Sequence, residues 1–136
     1  MTVSLRHLPK GHRFPPVAFH LSSHWVGEYL CAVEDAAIVG YQGVVPPMAL
    51  AALSISAFLE SASLPLGSVH LGQELSFHRA ARIGEHLRAE AEIVSRGERQ
   101  GWVLMGVALA VTDDTDAPVM TGRASVTFPL DPEAPA

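Results

Sequence analysis

One stretch in the first half of the chain is apolar almost without interruption. Pro46 and Pro47 mark its start, since proline fits the first helical turn, where the amide hydrogen has no partner within the helix. Beyond them, Ser54 and Ser56 alone interrupt the apolar surface before the helix end. A helix that is apolar all round is buried, whereas a surface helix has a polar stripe. The pattern therefore predicts a buried central helix at about 46–62, too short to cross a membrane.

A shorter amphipathic helix precedes this central helix. Ser22 is a suitable N-cap residue, and the helix predicted from it covers about 23–34. A short extended segment, 17–21, leads into it. The apolar stripe of the helix is formed by Trp25, Val26, Tyr29, Leu30 and Val33.

Four strand-like runs follow the central helix, separated by turns rich in Gly, Asp and Pro. The run 102–111 is nearly all apolar, as in a central strand covered on both faces. In the first run, strict alternation places His70 and His78 on the same face. The predicted strands are 68–79, 87–94, 102–111 and 119–128.

This order of elements is typical of an α+β fold. A buried helix wrapped by a curved antiparallel sheet is the hot-dog architecture. The predicted organisation is an irregular N-terminal arm (1–13), a single hot-dog domain (14–129) and a disordered tail (130–136). A single such sheet leaves an open edge, so we expect at least a dimer formed by edge-to-edge strand pairing.

Composition excludes several classes of partner. The net charge is −5 and the basic residues are scattered, which argues against nucleic-acid and membrane-surface binding. Cys31 is the single cysteine, so the chain forms no internal disulfide, which indicates a reducing, cytoplasmic location. Its apolar neighbours predict a core position for it. The histidines lack metal-ligand spacing, and no cofactor or metal is implied.

Three motifs resemble the MaoC-like hot-dog family, which holds (R)-specific enoyl-CoA hydratases and 3-hydroxyacyl dehydratases. Residues 29–35 (YLCAVED) resemble the family's Tyr-x-x-Ala-x-Gly-Asp. Residues 40–47 (GYQGVVPP) are similar to its Gly-Tyr-x-Gly-hydrophobic-x-Ala-Pro, and 73–87 resemble its strand and Gly-Asp turn. The resemblance covers about residues 14–128 and is closest to the N-terminal type of domain. It implies an acyl-CoA or acyl-carrier-protein substrate and a homodimer, or a heteromer with a second hot-dog chain.

The departures from the family pattern affect its catalytic groups. Active members have an Asp and, five residues later, a His that act together as acid and base. Asp35 matches the aspartate, but Gly40 stands in the histidine's place. Active members also have His-Gly at the start of the central helix, where an N–H polarises the thioester carbonyl. Pro46 and Pro47 stand there instead, and proline has no N–H. The expected activity is therefore that of a lyase, weak or absent in this chain alone.

The resemblance assigns five candidate site residues. Asp35 is the candidate catalytic residue. The backbone amides of Met48 and Ala49 are left to bind the thioester carbonyl. Arg79 and Arg82 are candidates for contacting a phosphate of coenzyme A or of a carrier protein.

Alternatives remain open at this point. His24, His70 or His78 could approach Asp35 in space and restore an acid–base pair. The chain could instead be a non-enzymatic subunit that binds acyl-CoA or another apolar ligand. It could also be a hot-dog thioesterase that activates water with Glu60 or Asp35.

Overall fold

The computed structural model describes residues 2–32 and 43–131, and its centre is a five-stranded antiparallel sheet. The helices are α1 (Ser23–Ala32) and α2 (Pro47–Ser61), with a 3₁₀ turn at Leu5–His7. The strands are β1 (Val3–Ser4), β2 (Val17–His20), β3 (Val44–Val45), β4 (Ala62–Ser63), β5 (Val69–Phe77), β6 (Ala81–Arg82), β7 (His86–Arg99), β8 (Trp102–Thr112) and β9 (Pro118–Pro129). The sheet has the order β2-β7-β8-β9-β5, and the pairs β1–β4 (parallel) and β3–β6 (antiparallel) are separate. The predicted α+β hot-dog fold is confirmed.

The four predicted long strands are all present, and β8 lies at the centre of the sheet as its apolar sequence predicted. The largest difference is in β7, which continues to Arg99 rather than ending at Val94. Its turn to β8 consists of Gln100 and Gly101 alone, with φ of 54° and 81°. Positive φ at both central residues matches the twist of a tight two-residue hairpin. The residues expected in a long connector therefore extend the strand.

The central helix α2 packs on one face of the sheet, called here the helix side; the opposite face is the outer face. The predicted bounds of the helix are nearly correct, but complete burial was wrong. One sheet covers one side of a helix, so Met48 is 58% exposed and Leu59 is 40% exposed on the other. Ser54, expected to be an interruption, is instead 1% exposed within the core. Within the described residues, no helix combines the length and apolarity needed to cross a membrane.

The first helix, α1, begins where its sequence predicted. The Trp25 amide donates to the Ser22 hydroxyl oxygen at 3.1 Å, which confirms Ser22 as the N-cap. Leu21 and Val26, on either side of this cap, are both buried in the core. The helix is described as far as Ala32, and the predicted end at residue 34 lies outside the described residues.

The N-terminal arm packs against the rest of the domain. Its first strand, β1, pairs in parallel with β4, directly after the central helix. Farther along, the Gly11 amide donates to the Ile93 carbonyl of β7 at 2.7 Å. Leu5, Leu8 and Phe14 are buried with residues of β7, β8 and β9. The arm therefore completes the core with its apolar residues; the irregular arm (1–13) and the domain boundary at residue 14 stay predictions.

An irregularity in β5 changes which side chains share a face. His70 pairs with Val126 of β9, whereas Gly72 pairs with Ser125, so Leu71 is an extra residue in the strand. One added residue reverses the alternation that follows it. His70 consequently shares the helix side with Leu75 and Phe77 rather than the outer face.

Candidate functional site

An apolar cavity of about 250 Å³ lies between the second half of α2 and the helix side of the sheet. Residues of α2 form one wall, and small or branched residues of β8 and β9 form the other. Leu64, directly after β4, and His70 complete the lining. We call this space the acyl cavity, and its remaining lining residues are Ile55, Phe58, Leu59, Val107, Leu109, Ala124 and Val126.

The acyl cavity suits a short alkyl chain. Ligand pockets are mostly apolar with a few polar groups that fix orientation, and typically start near 300 Å³. His70 is the only titratable residue in the described lining, and it is exposed. The sequence did not predict this role, since strict alternation placed His70 on the other face and the bulge at Leu71 reverses it.

The start of α2 differs from its predicted role in one respect. The Ala49 amide donates to the Pro46 carbonyl at 2.9 Å and is therefore already in use. Ala49 is also fully buried. The expectation that this amide is free for a thioester carbonyl was wrong, because the Pro46 carbonyl already accepts its hydrogen bond. Met48 is the remaining candidate and lies at the exposed end of the helix.

Arg79 lies in an ion network rather than in an open anion-binding patch. Its guanidinium donates to Glu85 Oε1 at 2.6 Å and to Asp113 Oδ2 at 3.0 Å. The hydrogen bond to Glu85, followed by that to Asp113, raises the pKa of Arg79. The same guanidinium is the main cause that lowers the pKa of Glu85. The pKa of Asp113 is lowered most by the hydrogen bond from the Thr115 hydroxyl and next by the hydrogen bond from Arg79.

Arg82 is placed differently from Arg79. Its backbone amide donates to Glu85 Oε2 at 2.7 Å, while its side chain is exposed. It pairs with Val44 in the short β3–β6 ladder, close to the start of α2. Arg82 is thus the one of the two predicted arginines whose guanidinium has no carboxylate partner within the described residues.

The predicted acid–base groups are not brought together within the described residues. Asp35 itself lies outside them. His78 bonds to the Thr121 hydroxyl at 2.8 Å, on the outer face, so it does not share a face with His70 as predicted. His24 contacts Glu28 at 3.2 Å on the surface of α1.

The remaining candidates lie away from the acyl cavity. Glu60 is exposed in the last turn of α2 and does not line the cavity. Cys31 is exposed, so its predicted core position was wrong. Among the described residues, no three His, Cys, Asp or Glu side chains cluster closely enough to hold a metal ion.

Comparison with known proteins matches most of this chain to one family. The sequence model of the family described as "FAS1-like, dehydratase domain region" matches residues 10–122. None of the curated protein sequences compared with the chain matches it significantly.

Solved structures share the fold over nearly the whole chain. An (R)-hydratase from A. caviae involved in PHA biosynthesis is 23% identical, with a TM-score of 0.71, over 90% of this chain and 98% of that one. The 3R-hydroxyacyl-ACP dehydratase complex of Mycobacterium tuberculosis gives 24% identity and a TM-score of 0.69, over 91% and 100%. A fluoroacetyl-CoA-specific thioesterase is 18% identical, with a TM-score of 0.69, over 90% of this chain and 97% of that one. At these identities the likeness establishes the fold, which serves both dehydration and thioester hydrolysis.

Proposed function

The chain belongs to the FAS1-like dehydratase domain region family, and from this premise we propose that it binds an acyl thioester of coenzyme A or of a carrier protein. The resemblance to hot-dog hydratases and dehydratases is confirmed by this membership. The observation that carries the proposal is the acyl cavity, because an apolar space beside α2 matches the chemistry of an acyl chain. The acyl chain lies along α2 in this cavity, with the thioester toward the start of the helix.

Hydration or dehydration by this chain alone is weak or absent. The position five residues after Asp35 is Gly40, which supplies no acid or base. At the helix start, prolines supply no N–H and the Ala49 amide is held by Pro46. Loss of one such oxyanion donor typically lowers kcat by about 100- to 1000-fold.

The site is completed by a second hot-dog subunit, identical or different. Support comes from β5, an edge strand in which seven of nine residues are exposed. An open edge with unpaired backbone groups is a surface on which another strand pairs. The dehydratase complex with the same fold is itself built from more than one chain.

The test is hydration of crotonyl-CoA by the purified chain, alone and with Asp35→Asn. The expected result is little or no turnover above background, with saturable binding of acyl-CoA. Turnover comparable to that of ordinary hydratases, abolished by Asp35→Asn, would overturn the proposal that the chain is weak alone. Absence of any acyl-CoA binding would overturn the proposal altogether.

A non-enzymatic acyl-binding subunit is the second candidate, favoured by the same cavity and by the missing acid–base pair. It differs from the first in that Asp35→Asn leaves the Kd for acyl-CoA unchanged and no product forms in any heteromer. Thioester hydrolysis has less support, since Glu60 does not line the acyl cavity. Release of free coenzyme A that depends on Glu60 would reverse that ranking.

A further inference from the structure

A second cleft, which shares no lining residue with the acyl cavity, lies at the N-terminal arm. It measures about 300 Å³ and is lined by Arg6, His7, Leu8, Pro9, Lys10 and Arg96. We call it the arm cleft. Four of these six residues have basic side chains and none has a carboxyl group. The chain as a whole carries a net charge of −5, so this concentration of basic groups runs against its composition.

Arg96 fixes the shape of the arm cleft. Its guanidinium donates to the backbone carbonyls of Leu8 at 3.1 Å and of Arg6 at 3.2 Å, with a longer contact to Leu5 at 3.4 Å. Its side chain is only 16% exposed. Because carbonyl groups are neutral, these bonds hold the arm in place without cancelling the charge. Arg96 also forms an ion pair with Glu98 at 3.4 Å, in which Glu98 is 53% exposed.

Arg6 and Lys10, the other long basic side chains of the arm cleft, differ from Arg96 in their partners among the described residues. Arg6 donates from Nη2 to the Pro129 carbonyl at 3.2 Å, again a neutral acceptor. Neither Arg6 nor Lys10 forms a salt bridge to a carboxylate within residues 2–32 and 43–131. Elsewhere in the chain, Arg13 and Arg88 each have a carboxylate oxygen within 3.0 Å. Arg6 and Lys10 therefore bring positive charge to the arm cleft that no carboxylate of the described residues pairs with.

We propose that the arm cleft is an anion site that binds a phosphate group, separate from the acyl cavity. Arginine and lysine side chains that line one space are the groups that proteins use to bind phosphate oxygens. Because Arg96 holds the arm in place before a ligand binds, less conformational entropy is lost on binding. The phosphate is either free inorganic phosphate or the phosphate of a nucleotide. This inference does not depend on the proposed acyl function.

The test is isothermal titration of the full chain with inorganic phosphate at constant ionic strength, against the Lys10→Gln variant. Lys10 is exposed and makes no hydrogen bond within the described residues, so its replacement leaves the fold intact. We expect saturable binding, weakened about tenfold in Lys10→Gln, as befits loss of one charged contact. The matched control is Arg99→Gln, which removes an exposed charge from the same strand as Arg96 but not from the cleft. It should retain binding within about threefold.

Adenosine 3′,5′-bisphosphate and adenosine distinguish the two sources of phosphate. Tighter binding of the bisphosphate than of phosphate, with no binding of adenosine, identifies a nucleotide ligand. Equal binding of the bisphosphate and phosphate identifies the free anion. No saturable binding of either compound by the wild-type chain overturns the proposal, and so does an equal loss in Lys10→Gln and Arg99→Gln.

Discussion

Replacing Ala124 with leucine would place three additional carbon atoms in the acyl cavity. Ala124 is on the helix side of β9, in the wall that faces Ile55 and Phe58. Burial of one methylene group contributes about 0.8 kcal/mol, so an acyl chain that loses space for three carbons loses about 2.4 kcal/mol of binding free energy. At 1.4 kcal/mol per factor of ten, the Kd rises about 50-fold. An acyl chain too short to reach Ala124 keeps its affinity.

The assay is the Kd for a series of saturated acyl-CoA thioesters of increasing chain length, with wild type and Ala124→Leu. The control is Ala110→Leu on β8, whose side chain lies on the outer face opposite Thr121 and not in the acyl cavity. The expected result is a chain-length cutoff in Ala124→Leu and none in Ala110→Leu. Equal weakening at every length, or the same cutoff in both variants, would refute the reasoning.

The stability of Ala124→Leu gives an independent check of the cavity. Overfilling a packed core typically costs about 1–3 kcal/mol in the free energy of unfolding, whereas an open space accepts the added carbons. We therefore expect urea unfolding to show no loss of stability. A loss in the overpacking range would show that the space is not available to a ligand.

Three further predictions concern the ion network, the arm and the β7–β8 turn. The pKa values of Glu85 and Asp113 are lowered in the folded chain, so the stability they contribute is present above their unfolded pKa values, near 4, and is lost as the pH falls through the folded values. Urea unfolding across this acidic range should show a shallower pH dependence for Arg79→Gln than for wild type, while Arg82→Gln matches wild type; identical slopes for all three would contradict the network. Leu5→Ala should lower the free energy of unfolding by about 2–5 kcal/mol because Leu5 is fully buried, whereas Val3→Ala, at an exposed position, should lower it little. A small loss for Leu5→Ala would contradict the packing of the arm in the core. Gly101→Ala should cost about 1–2 kcal/mol because its φ is 81°, whereas Gly97→Ala meets open space at a negative φ; equal costs would argue against the two-residue turn.

The parts of the fold that follow from local pattern could be predicted from the sequence. The apolar run after Pro46 and Pro47 predicted α2, and alternation predicted the long strands, because both signals depend on neighbouring residues. The bulge at Leu71 has no local signal, since it is defined by its pairing with β9. The face on which His70 lies was therefore assigned wrongly.

Contacts between distant residues account for the other differences. Arg79 was predicted to contact a phosphate, but its partner Asp113 lies 34 residues away and is brought close by the β8–β9 turn. The high Pro and Gly content of the arm predicted an irregular segment. Leu5 and Phe14 nevertheless pack against strands that lie about 80 residues later in the sequence. Asp35, the candidate with the most direct family support, lies outside the described residues and stays a prediction.

The pairing of the N-terminal arm also determines the order in which the chain can fold. The arm is synthesised before β7, but Gly11 bonds to Ile93 and Phe14 bonds to Ala91, both in β7. β2 likewise pairs only with β7 in the five-stranded sheet. Contacts between residues far apart in sequence form slowly because a long loop must close first. During synthesis residues 11–20 therefore remain without their partners until β7 has left the ribosome, and this segment is among the last to fold.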